Sequence, residues 1–246
     1  MELKNIFKME MYKNRNDKPY LLVIAILTVM AAVASILGVS MIEASASYDT
    51  MSTLYVIEIL LIVFTIVGFG IISLLYPFHL LNVDYRNKVM GLIFASGVSR
   101  GKYYFVKISA TILTCLIATL AILFIPIVTF LLVYPEVFVE MMQEVFTEFT
   151  VSDILPFVLT ALFSWLAYYV MLTTSVIITK GKVSGIFLYF AFSFALSAIQ
   201  STFSIPLLFS MGNNVNFYFN ISTVFSIVKI IAFVLIGLNV LKKQNL

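Results

Sequence analysis

Six stretches of this chain, about Tyr20–Val39, Leu54–Pro77, Ile108–Val133, Leu155–Ile178, Val183–Phe203 and Ile221–Val240, stay predominantly apolar for long enough to constrain the fold. A helix needs roughly 20 such residues to cross a hydrocarbon core of about 30 Å. With 62% hydrophobic and 11% charged residues, the chain lies far from soluble domains, which average about 45–50% and about 25%. The runs are continuous rather than alternating at period two, which argues against a β-barrel. The expectation is an all-α integral membrane protein, one domain over residues 1–246: a connecting segment 1–19, a six-helix membrane part 20–240 and a tail 241–246. The first run is too long, and too weakly followed by a small-residue cleavage site, for a removable signal peptide. It is expected to remain as a span.

Positive charge resists translocation, so the distribution of Lys and Arg predicts orientation. Lys4, Lys8, Lys13, Arg15 and Lys18 precede the first span, and Arg86, Lys88, Arg100 and Lys102 follow the second. Lys180 and Lys182 follow the fourth, and Lys242 and Lys243 follow the sixth. The three alternate loops contain no Lys or Arg, and the first two carry acids, among them Glu43, Asp49 and Asp153. Both termini are therefore expected on the cytoplasmic side. The net charge of +3 is a consequence of this topology, not a signature of nucleic-acid binding. The abundance of Ile, Lys, Asn and Phe is associated with AT-rich bacterial coding, which points to a bacterial cell membrane.

The residues offer no catalytic constellation. Intramembrane serine proteolysis would need a Ser and a His within the spans, but the single histidine, His79, falls at the end of span two. There is no HExxH and no His, Cys or carboxylate cluster at metal-ligand spacing. "TKGKVSG" at Thr179–Gly185 lacks the spacing of a phosphate-binding loop. Cys115 is the single cysteine, so no intramolecular disulfide can form, and a packing role is expected.

Against this background "VDYRNKVMGLIFASGVSRGKYYFVKI", Val83–Ile108, stands out for its charge. Asp84 is a good N-cap type. Tyr85, Val89, Leu92 and Ile93 then fall at i, i+4, i+7 and i+8, the pattern of an amphipathic helix over Asp84–Phe94. "SGVSRG" stops it, and Ser99 can cap the next helix, which leads through Lys107 into span three. Such a helix suits docking to a partner, or lying on anionic lipid headgroups.

This stretch resembles the first intracellular loop of ABC-2 type permeases of ABC transporters. Asp84 and Arg86 match the acidic and basic start, Gly91, Leu92 and Ile93 the short helix, Ser99–Arg100 the step, and Lys107 the lysine of the third span. Gly97 stands where the family usually has Pro, and Asn87–Lys88 where Gly-Thr-like residues are common. Six spans and a basic N-terminal segment, "LKNIFKMEMYKNRN" at Leu3–Asn16, extend the likeness along most of the chain. The resemblance implies a coupling segment, 82–102, in which Asp84, Arg86, Val89, Met90, Leu92, Ile93, Phe94, Ser99 and Arg100 meet a cytoplasmic ABC ATPase dimer. ATP and Mg would be bound by that partner, this chain holding no cofactor. A second permease copy or a sister permease would complete the path.

Three further features remain. Glu136, Glu140, Glu144 and Glu148 recur every four residues in "PEVFVEMMQEVFTEFT", Pro135–Thr150. Like charges at that spacing cost a few tenths of a kcal/mol per pair, so this reads as the solvated face of an external interfacial helix or an attractor for cations. Lys229 lies roughly 12 and 16 Å from the ends of span six at about 1.5 Å per residue. Glu58, near the outer end of span two, is its expected ion-pair partner; the alternative is a charge facing a substrate path. Ser193, Ser197, Gln200 and Ser204 form a polar stripe on span five, and Gly68 and Gly70 permit close approach on span two. These suit helix packing, a dimer interface or a path lining. Pro206 and Gly212 in Ser204–Asn214 suggest a broken, re-entrant segment.

Taken with the resemblance, the expectation is a permease subunit of an ABC exporter, moving amphipathic or antimicrobial peptides. Small bacterial permeases of peptide export and self-immunity, such as the phenol-soluble modulin exporter type, supply that association. Lipid, drug or ion export is the alternative cargo, and a non-transport scaffold or sensor the alternative class. A secondary transporter ranks below both, for want of an evident internal repeat or acidic relay.

Overall fold

The structure, a computed structural model, describes residues 3–44, 53–133, 135–136, 139, 143, 151–210 and 215–244. Among them the regular elements are all helical: α1 Leu3–Arg15, α2 Lys18–Ala44, α3 Thr53–Arg86, α4 Met90–Ala95, α5 Arg100–Val133, α6 Val151–Ile178, α7 Ser184–Ser210 and α8 Val215–Lys243. Six of these, α2, α3, α5, α6, α7 and α8, are long and apolar enough to cross a membrane. The six expected runs each lie on one of them. Their outward faces carry many exposed Leu, Ile, Val and Phe side chains, including Phe64, Phe124, Phe187 and Phe194, as lipid-facing or subunit-facing surfaces do.

The chain divides into two compact units, one of residues 1–10, 78–111 and 148–246, the other of residues 11–77 and 112–147. In the first, α6 packs chiefly against α8, with α7 against both. Hydroxyls line the α6–α8 contact. Thr160 Oγ1 lies 2.7 Å from Thr223 Oγ1 and 2.8 Å from the Phe219 carbonyl oxygen. Ser164 Oγ is 3.1 Å from Ser226 Oγ, and Thr174 Oγ1 is 2.9 Å from the Phe233 carbonyl oxygen. Small polar residues let helix backbones approach where lipid provides no hydrophobic drive between them. In the second unit, a Cβ on Gly68 would stand 2.7 Å from Leu27 Cδ2, so α2 and α3 meet there, whereas Gly70 has nothing within 4 Å. Cys115 is buried, as expected of a packing residue.

Helices α3 and α5 each have 34 residues, about 51 Å at about 1.5 Å per residue, so each exceeds a hydrocarbon core of about 30 Å. The surplus of α3 carries Asp84 and Arg86. That position corrects the expected helix of Asp84–Phe94. Asp84 sits in the last turn of α3, and α4 comprises six residues, with Val89 at its N-cap and no side-chain cap. The reason lies in the backbone. Lys88 takes a left-handed φ of 56°, which ends one helix and starts another inside what reads as a single apolar period.

At the far end of α4, Ser96 and Gly97 N–H donate to the Leu92 and Phe94 carbonyls at 3.0 and 3.1 Å. Gly97 has φ 85°, a value closed to proline, whose ring holds φ near about −65°. A proline could not stand at this position of the turn. A second correction concerns Ser204–Asn214. Helix α7 continues through Pro206 to Ser210 instead of breaking, since neighbouring groups can satisfy the backbone that a proline frees. Residues 211–214 lie outside the described residues.

Gly181, at φ 73°, closes the turn between α6 and α7, and a Cβ there would come within 2.5 Å of Tyr85 Cβ. We expect Gly181→Ala to lower stability by about 1–3 kcal/mol, the usual range for a strained backbone position. Gly70→Ala, in an open helical position, should instead be neutral or raise it by about 0.5–1 kcal/mol. Thermal unfolding of the two variants in detergent, read by helical circular dichroism, checks the contrast; equal midpoints would contradict it.

Candidate functional site

Within the first unit, the segments flanking α4 meet around a buried ion cluster. Lys107, in the second turn of α5, places Nζ 2.7 Å from Glu10 Oε2 and 2.9 Å from Asp84 Oδ2. Tyr103, one turn earlier, donates its hydroxyl to the same Asp84 Oδ2 at 2.5 Å. Glu10 and Asp84 are each 1% exposed and Lys107 3%. A buried ammonium between two carboxylates is held by geometry: each ion taken from water loses several kcal/mol of solvation, recovered only by close charge-assisted contacts. Asp84 cannot cap α4 because its carboxylate points at Tyr103 and Lys107.

Aromatic and cationic contacts extend the cluster to the loop. The Phe94 ring meets Tyr103 edge-on, with centroids 5.5 Å apart, and the Arg100 guanidinium lies 5.5 Å from the Phe94 centroid. Arg100 Nη1 also donates to the Leu241 carbonyl at 2.7 Å and to the Lys242 carbonyl, meeting the unpaired, negative end of the α8 dipole. Ser99 Oγ accepts from the Lys102 N–H at 3.4 Å, a long N-cap contact opening α5. Nearby, Tyr85 Oη donates to Gln244 Oε1 at 3.1 Å, and Gln244 Nε2 donates to the Ile177 carbonyl at 2.6 Å. The ends of α3, α6 and α8 and the start of α5 are thus tied by side chains.

The loop residues separate into anchors and surface. Met90 and Val98 are buried, and Val89, Ile93 and Phe94 are half-buried. Arg86, Lys88 and Leu92 face outward, Leu92 with 71% of its surface exposed. The apolar positions of the expected stripe therefore do not share one face. Two of the residues expected to couple to a partner, Asp84 and Met90, are buried, while the exposed Leu92 stands at the surface with Arg86 and Lys88.

Glu10 was not among the residues singled out by sequence. Ile6, Glu10 and Asn14 are spaced four apart and all buried on α1, a spacing visible in sequence but disguised because two of the three are polar. In the second unit, Asn14 Nδ2 donates to Thr114 Oγ1 at 2.9 Å.

Lys229 Nζ donates to Gln200 Oε1 at 2.8 Å, and Gln200 Nε2 donates to Ser222 Oγ at 3.1 Å. The Glu58 side chain lies outside the described residues. Ser193, Ser197 and Gln200 line a cavity with Lys229, and Ser204 is buried. Glu136 is exposed; Glu140, Glu144 and Glu148 lie outside the described residues. No group of three or more His, Cys, Asp or Glu among the described residues is arranged to hold a metal. Comparison with family models, curated proteins and solved structures finds no match.

Lys107→Met should destabilise the protein by about 3–5 kcal/mol, because it leaves two buried carboxylates facing one another. Adding Glu10→Gln and Asp84→Asn should recover much of that loss. Chemical unfolding of the single and triple variants measures both, and additive losses would show that the three side chains do not act as a unit.

Proposed function

We propose that this chain is the transmembrane permease subunit of an ATP-driven ABC exporter in a bacterial cell membrane, with both termini and the α4 loop in the cytoplasm. The observation that carries the reading is the mounting of α4. An exposed Leu92 flanked by Arg86 and Lys88 stands on buried anchors that connect directly to two membrane-crossing helices, α3 and α5. A push on such a loop reaches both helices without being absorbed in slack chain. The resemblance of Val83–Ile108 to ABC-2 permeases supplies the partner, a cytoplasmic ABC ATPase dimer that binds ATP and Mg. The segregation of Lys and Arg to one set of loops supports the orientation.

In this mechanism, closure of the ATPase dimer on ATP displaces α4, and the ion cluster transmits the displacement to the ends of α3 and α5. Asp84, Lys107 and Glu10 are positioning residues: they keep the loop rigid and do not touch the ATPase. Arg86, Lys88 and Leu92 make the contact. Two permease copies, or this chain with a sister permease, enclose the path. The cargo is an amphipathic or antimicrobial peptide, a choice that rests on the resemblance alone.

The test is co-expression with an ABC ATPase encoded beside this chain, purification through a tag on the chain, and measurement of ATP turnover in lipid. Leu92→Glu and Arg86→Glu should abolish co-elution and stimulated turnover while leaving the unfolding midpoint unchanged. Asp84→Asn should lower the midpoint first. If an ATPase is retained equally by wild type and by Leu92→Glu, the docking surface is wrong. If none is retained by wild type, the chain is a scaffold or sensor rather than a permease.

A further inference from the structure

Lys229 occupies the centre of α8, fourteen residues from each end of Val215–Lys243, or about 21 Å at about 1.5 Å per residue. Its ammonium cannot readily reach either helix terminus, and charges at such depth face protein, water or a ligand. Among the described residues its hydrogen-bond partner is the neutral Gln200, and both ion pairs of the cluster above belong to Lys107. The positive charge is half-buried and lacks a carboxylate at salt-bridge distance among those residues.

It faces a partly open cavity of about 160 Å³ lined by residues of α6, α7 and α8. Tyr189, Ser193, Ser197, Ser222 and Ser226 line it together with Lys229; Ser226 Oγ is hydrogen-bonded to Ser164 Oγ, and Ser222 Oγ accepts from Gln200. Hydroxyls and an ammonium together offer several O–H and N–H donors and a full positive charge, the complement of an oxyanion. Cations are repelled, and a purely apolar occupant would leave the ammonium protons that Gln200 does not take unsatisfied. The space holds an oxyanion with a few waters, each about 30 Å³ in the liquid.

We propose that this cavity is an intramembrane binding site for an oxyanion, a carboxylate or phosphate carried by an amphiphile or free in solution, with Lys229 as its charge partner and Ser197 as a flanking donor. Gln200 acts as a positioning residue: its amide oxygen takes one ammonium proton and its NH2 is held by Ser222, which leaves the other ammonium protons for the anion. The site stands independently of the exporter reading, since its geometry involves neither α4 nor an ATPase.

The test uses the full chain in phosphatidylcholine nanodiscs, with emission from Trp165, the single tryptophan and the chain neighbour of cavity residue Ser164, and native mass spectrometry as readouts. Dodecyl phosphate, inorganic phosphate and dodecyltrimethylammonium are titrated separately. Wild type should bind dodecyl phosphate saturably, Lys229→Gln about tenfold more weakly, as expected for loss of a charge-assisted hydrogen bond, and Lys229→Arg near wild type. Ser197→Leu, which fills the cavity and keeps the charge, should weaken binding too. It decides the matter if Lys229→Gln does not fold. Competition by inorganic phosphate identifies a site for free oxyanions; its absence identifies an amphiphile headgroup. Saturation by neither anion, wild-type affinity in both Lys229→Gln and Ser197→Leu, or equal binding of the cationic amphiphile would overturn the proposal.

Discussion

The Lys107 ammonium lies between the Glu10 and Asp84 carboxylates, residues 97 and 23 positions away in the chain, and three segments depend on that contact. Glu10 belongs to α1, Asp84 to the last turn of α3 and Lys107 to the second turn of α5. None of these charges is solvated enough to stand alone, so the segments must arrive together or leave ions stranded in a medium that penalises them. An apolar contact would tolerate a shift of one residue along a helix. An ammonium shared by two carboxylates does not, because a displacement of about 1.5 Å per residue breaks both bonds.

The same cluster accounts for the form of the exposed loop. With Asp84 turned inward, α3 ends two residues later, the backbone passes through the left-handed Lys88, and α4 is limited to six residues before the left-handed turn at Gly97. Tyr103 joins the ions on one side to Phe94 on the other, and Arg100 covers Phe94 while holding the end of α8. What remains outside is a small apolar knob with basic neighbours. Its supports are charged groups that are themselves buried, Glu10, Asp84 and Lys107.

The membrane-crossing helices were legible because hydropathy accumulates residue by residue over roughly 20 positions. Helix α4 was harder to place. Its apolar positions continue the phase of the end of α3, and the break falls on Lys88, a residue type that seldom adopts positive φ. The hydroxyl ladder between α6 and α8 also escaped notice, since Thr160, Ser164 and Thr174 are scattered in an apolar run and gain meaning only beside Thr223, Ser226 and the Phe233 carbonyl. The stripe on span five was visible; Ser193, Ser197 and Gln200 line a cavity, and Gln200 also bonds to Ser222 and Lys229 of α8.

By itself, then, the sequence determined that six helices are long and apolar enough to cross a membrane, and that Lys and Arg collect at alternate ends of them. Both properties are sums over local composition and require no knowledge of neighbours. Tertiary structure alone decided which polar residues meet: Lys107 with Glu10 and Asp84, and Lys229 with Gln200. Such pairings depend on the rotation of each helix about its axis and on its axial offset from the next. A one-residue change turns a side chain by about 100°, while the hydropathy of the run is almost unaffected.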